Sequence, residues 1–70
     1  MPDKTYKIVD VVGVSEESIH QAVRNALKKA SQTLRNLEWF EVTQLRGHVV
    51  DGAVGHYQVC MKLGLRYDKR

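Results

Sequence analysis

Apolar and polar positions along the chain change period twice, and the stretches on either side of each change mark its elements. Residues 4–14, KTYKIVDVVGV, are rich in β-branched and aromatic residues and close at Gly13, which predicts a strand. Ser15 then stands at the expected N-cap of a helix, with Glu16 and Glu17 placing negative charge in its first turn. Ile19, Ala22, Val23, Ala26, Leu27, Ala30 and Leu34 follow at helical spacing and form one apolar stripe. Gln21, Arg24, Asn25, Lys28 and Gln32 occupy the opposite, solvated face.

After Asn36 the period returns to two. WFEVTQLRGHVV predicts a second strand, Asp51-Gly52 a tight turn, and the run from about Ala53 to Tyr67 a third strand. In that last run the odd positions Tyr57, Val59, Met61, Leu63, Leu65 and Tyr67 are apolar. The even ones, His56, Gln58, Cys60, Lys62, Gly64 and Arg66, are polar or small, so one face packs on the helix and the other is left for another task. The middle strand switches parity: Phe40 and Val42 are its early apolar positions, Leu45 and Val49 its later ones. A bulge or bend between Thr43 and Leu45 explains the switch, because one extra residue turns every later side chain over. The expected fold is α+β, a β-α-β-β subunit whose three-stranded antiparallel sheet wraps one helix, as a single domain over residues 1–70.

Seventy residues bury only roughly 60% of the surface the unfolded chain exposes, so a domain of this size needs something further to hold it. A lone cysteine, Cys60, supplies no disulfide and argues for a reducing compartment. His20, His48 and His56 lack the paired spacing of a zinc site. Oligomerisation is the remaining means. The opening MPDKTYK has no apolar run of signal-peptide length and no segment reaches membrane-spanning length, so the expected location is the cytoplasm. A net charge of +3 suits a phosphate-bearing partner without choosing among nucleotide, cofactor and nucleic acid.

If Phe40 and Val42 face the helix, Trp39 faces away, on the side of Gln58, Lys62 and Arg66. A lone indole on the outer side of a sheet needs a second subunit or a flat ligand against it. Gln58 beside it offers a donor and an acceptor, and Arg46 and Arg66 suit a phosphate, a set that fits a planar heteroaromatic phosphate. An interface role for Trp39 without any ligand is the alternative. No glycine-rich dinucleotide motif is present, Cys60 has no second cysteine nearby, and Glu38 and Glu41 point to opposite faces of a strand, so no enzyme is expected.

TLRNLEWFEVTQLRG, with GVSEES before it and HYQVCMKLGLR after it, resembles the dodecins, small flavin-binding proteins, over nearly the whole chain. The resemblance implies a hollow dodecamer of cubic symmetry in which paired flavins stack between tryptophans of symmetry-related subunits, the ring edge being hydrogen-bonded by a glutamine. Carried over, the tryptophan is Trp39 and the glutamine Gln58. Arg46 and Arg66 match positions that bacterial members carry, associated with the FMN phosphate and with subunit contacts. Gln44, Arg46 and His48 stand where archaeal members have acidic residues, so the archaeal preference for phosphate-free flavins need not transfer; His48 also reads as a solvated strand-end residue. The expected function is storage and sequestration of FMN, or of riboflavin or lumichrome, with quenching of its photochemistry. Two alternatives stand beside it: an oligomeric coenzyme A carrier, which the resemblance allows, and a single-stranded nucleic-acid module stacking bases on Trp39.

Overall fold

Odd-numbered side chains of two neighbouring strands meet one helix in the computed structural model, which describes residues 4–67. The three residues at each end of the domain expected over 1–70, including the first three of MPDKTYK, lie outside the described residues. The elements are β1 (Tyr6–Ser15), α1 (Ile19–Ser31), β2 (Leu37–Val50) and β3 (Ala53–Arg66). All pairings are antiparallel and the sheet order is β1-β3-β2. The last strand in sequence is thus the central one, which is why its apolar face is the most regular in the chain. Val59, Met61, Leu63 and Leu65 of β3 are buried with Ala22 and Ala30 of α1, and Val9, Val11, Ala26 and Leu27 pack around them.

Gly13 does not end β1 but lies inside it. A Cβ built there would fall 2.1 Å from the Ala22 carbonyl oxygen and 2.9 Å from the Ala26 Cβ, so the missing side chain is what lets α1 lie against the strand. The helix also starts later than its charge pattern suggests. Ser18, not Ser15, is the N-cap, its Oγ accepting from the Gln21 amide at 2.9 Å. Ser15 instead accepts from the Glu17 and Ser18 amides and shapes the turn between β1 and α1, which leaves Glu16 and Glu17 ahead of the helix. At the other end α1 closes at Ser31, and Leu34, expected as its last apolar position, packs on the core from the turn that follows.

Asp51 and Gly52 both adopt positive φ (52° and 78°), the geometry of the two-residue hairpin turn their sequence announces. The β2–β3 register shifts between Val42 and Gln44, where the parity of the sequence switches, and the Thr43 hydroxyl donates to the Cys60 carbonyl oxygen at 3.2 Å across the bulge. Phe40, Val42 and Leu45 pair with Leu63, Met61 and Val59 and so share the face that bears the helix. Phe40 and Val42 thus face the helix side as expected, but the helix lies mainly over β1 and β3, and they stay 44% and 48% exposed, with Leu45 52% exposed. A 13-residue helix is about 20 Å long and about 10 Å wide, too small to roof a third strand.

The hairpin runs on past the helix, giving extents of 53 × 21 × 15 Å and a radius of gyration of 14.6 Å. A compact chain of this length measures about 11 Å. Among the described residues no helix is long and apolar enough to cross a membrane.

Candidate functional site

Cross-strand pairing sorts the polar residues of β2 and β3 onto the face away from the helix and divides them into two groups. At one end Trp39 pairs with Gly64. An added Cβ on Gly64 would sit 2.0–2.5 Å from the Trp39 Cε2, Cζ2 and Cδ2 atoms, so the indole lies directly over the glycine. It is 38% exposed and meets Tyr6 of β1 at 5.8 Å between ring centroids, tilted by 59°. Tyr6 donates its phenol to Glu38 Oε1 at 2.8 Å, and the Arg66 guanidinium holds the second oxygen of Glu38 in a short ion pair.

The Tyr6 phenol, by its hydrogen bond, is the main influence holding the Glu38 carboxyl below the usual carboxylate range; Arg66 and Lys4 add their charge, while partial burial opposes. Tyr6 is pushed up in turn, first by the same bond, then by burial and by the charge of Glu38, with Arg66 opposing. Sequence spacing had not marked Tyr6 or Glu38 as part of a site. The only signal was an aromatic residue at the strand position opposite Arg66.

The second group lies further along the hairpin. Arg46 pairs with Gln58 across the strands and donates from Nε to its Oε1 at 2.8 Å, while Nη1 donates to Gln44 Oε1 at 2.9 Å. The Gln58 Nε2 faces His56 Nε2 at 3.1 Å, and His56 stacks on His48 with centroids 5.1 Å apart and planes 12° from parallel. His48, expected as a solvated strand-end residue or one that lines the site, is exposed and is tied through a ring stack to the Gln58 network.

The structure brings Arg46 to Gln58, and Arg66 to Trp39 by way of Glu38 and Tyr6. It does not bring Trp39 beside Gln58 within one chain, which corrects that expectation. Six residues of β3, about 20 Å of strand, separate Gly64 from Gln58, further than a tricyclic ring spans. Between the groups, Glu41 pairs with Lys62, whose Nζ meets Asp10 Oδ1 at 3.3 Å, and Cys60 is a half-buried free thiol. Among the described residues no three His, Cys, Asp or Glu side chains cluster as metal ligands.

The sequence model of the family described as Dodecin matches residues 5–68. A curated dodecin from Thermus thermophilus is 44% identical over 66 residues, covering 94% of this chain and 96% of the relative. The solved dodecin from Streptomyces coelicolor is 54% identical and superposes with a TM-score of 0.91 over the full length of both chains. The dodecin from Streptomyces davaonensis is 50% identical, with a TM-score of 0.89 over 97% of this chain and all of its own. A β-α-β-β chain with a glycine-seated indole outside its sheet thus agrees with these relatives in sequence, length and backbone at once, and the chain belongs to the dodecin family.

Proposed function

We propose that this protein binds flavin, with FMN as its ligand, inside an assembly of twelve copies, and that it stores and shields the flavin without turning it over. The observation that carries the reading is the indole of Trp39 laid over Gly64 with its outer side open. A strand residue with any side chain would lift the ring off the sheet; glycine leaves a flat apolar platform on which a second aromatic plane can stack. The residues fit a flavin in three further respects. Gln58 supplies an amide edge for the ring, Arg46 keeps three N–H donors beyond the two it spends on Gln58 and Gln44, and Arg66 stands on the platform side.

Because Trp39 and Gln58 are separated along one sheet, a ring stacked on the Trp39 of one subunit meets the Gln58 of another. The assembly is then part of the site. A flavin held between two indoles has both faces covered, which denies a substrate access and gives the excited ring a near electron-rich neighbour. The outer face also argues against a nucleic acid: Glu41 shares that face with Trp39 and repels phosphodiesters, and the two cations near it, Lys62 and Arg66, are engaged with Asp10 and Glu38.

Titration of FMN and riboflavin into ligand-free protein, followed by flavin emission, tests the reading. Quenching on binding is expected. Trp39→Ala should weaken binding about ten- to hundredfold, the worth of a stacked ring, and restore emission. A colourless protein that leaves flavin emission unchanged, or an alanine variant that quenches as well as the parent, refutes it.

A further inference from the structure

We infer that His56 is a positioning residue for Gln58: it sets which end of the Gln58 amide donates and which accepts, and its protonation undoes that setting. This rests on the flavin reading above and concerns the regulation of the same site.

The argument is one of donors and acceptors. Arg46 Nε can only donate, so the atom it meets at 2.8 Å must be the amide oxygen of Gln58. The amide nitrogen then faces His56 Nε2 at 3.1 Å, and it too can only donate. His56 Nε2 therefore carries a lone pair, and the ring is neutral with its hydrogen on Nδ1. The second bond of Arg46, to Gln44 at 2.9 Å, keeps the guanidinium from swinging aside.

One amide orientation satisfies both neighbours. A proton added at His56 Nε2 sets two donors against each other. Rotating the amide is no remedy, because its nitrogen would then face the Arg46 N–H. One of the two bonds must be given up, and the edge offered to the ring changes with it. The pyrimidine edge of a flavin alternates acceptors and a donor, so an amide of undefined orientation reads it poorly.

Among the described residues no carboxylate forms an ion pair with His56 or His48. β2 contributes His48, stacked on His56, and Arg46; β1 contributes Val14 opposite Gln58 and ends at Ser15 opposite Tyr57. Glu16 and Glu17 follow Ser15 but form no ion pair with either ring.

Riboflavin is the probe, since it has no phosphate to titrate. Its affinity is measured by emission at about pH 8 and about pH 5.5, either side of the histidine range. The full-length parent, His56→Gln and His56→Phe are compared, with sedimentation reporting the assembly of each. Glutamine offers an acceptor that never gains a proton. The parent should bind about tenfold more weakly at the lower pH, the worth of one hydrogen bond. His56→Gln should keep the parent's higher-pH affinity at both, and His56→Phe should be about tenfold weaker at both. Nitrogen NMR of the ligand-free parent at the higher pH should place the ring proton on Nδ1.

Equal affinity of the parent at both pH values, an undiminished slope in His56→Gln, or a ring proton on Nε2 overturns the role of His56 and leaves flavin binding standing. Failure of riboflavin to bind at either pH overturns the flavin reading itself, and the role with it.

Discussion

Gly64 and Trp39 act as a pair, since the indole can rest on the sheet only where the neighbouring strand has no side chain. Gly64→Ala places a Cβ 2.0 Å from the ring and must displace it. The expected cost is about 1–2 kcal/mol of stability, with altered indole emission and weakened flavin binding. Unchanged emission and affinity in that variant would mean the ring has another resting place. Glu38 adds a pH dependence whose sign follows from its lowered carboxyl. A carboxylate stabilised in the folded state contributes fully above its ordinary value of 4.5, and the contribution is lost as pH falls through the lowered one. Tyr6 works the other way: with its phenol raised, its contribution is whole below 10.0 and is lost as pH rises through the raised value. Denaturation midpoints measured from neutral to acid pH should therefore fall less steeply in Glu38→Gln than in the parent. Parallel curves would show that the Tyr6–Glu38–Arg66 contact leaves stability unchanged.

At the level of elements, Gly13 is the counterpart of Gly64 on the helix side. Alanine there would drive its Cβ into the Ala22 carbonyl, which is helix backbone and cannot rotate away. The helix must move off β1, at an expected cost of at least about 2–3 kcal/mol in chemical denaturation. A loss below 1 kcal/mol would show that α1 can slide at little cost. This contact was illegible in the sequence, where Gly13 reads as a strand terminator, because a glycine within a strand differs from one at its end only in what packs above it. The helix start was misread for a related reason. Ser15 and Ser18 are both good caps, and the choice between them is made by where β1 stops, a tertiary fact. The bulge after Val42, the Asp51-Gly52 turn and the buried face of β3 were legible, since each is fixed by local parity or by a residue tolerant of positive φ. For the site, the sequence pointed to Trp39 and Gln58 and to the arginines, but alternation along a strand states the face and not the distance. The separation of Trp39 from Gln58 follows from pairing register, which the Leu37–Trp39 and Val42–Gln44 shifts decide.

The molecule as a whole is too open to be complete by itself. Its accessible surface of 5335 Å² exceeds the about 4,450 Å² expected of a compact monomer of 8.0 kDa. Much of the excess is apolar: Phe40, Val42, Leu45, Val49, Val50 and Val54 stand exposed along the hairpin, on either side of a bulge that turns the strand. Twelve copies arranged around a cavity would cover such arms with one another, and each Leu or Val, about half exposed in the single chain, would contribute about 1 kcal/mol. The consequence separates assembly from folding. In an isolated chain, Leu45→Glu changes a half-exposed position and should alter stability by no more than about 0.5 kcal/mol. In an assembly it introduces the same buried charge at every copy and should break the particle into small species, visible by sedimentation or small-angle scattering, with flavin binding lost together with it. A variant that stays assembled would place the contacts elsewhere, on the outer face of Trp39. One that dissociates yet still quenches flavin would show that a single sheet suffices for the ligand, against the proposal that Trp39 and Gln58 of neighbouring subunits share it.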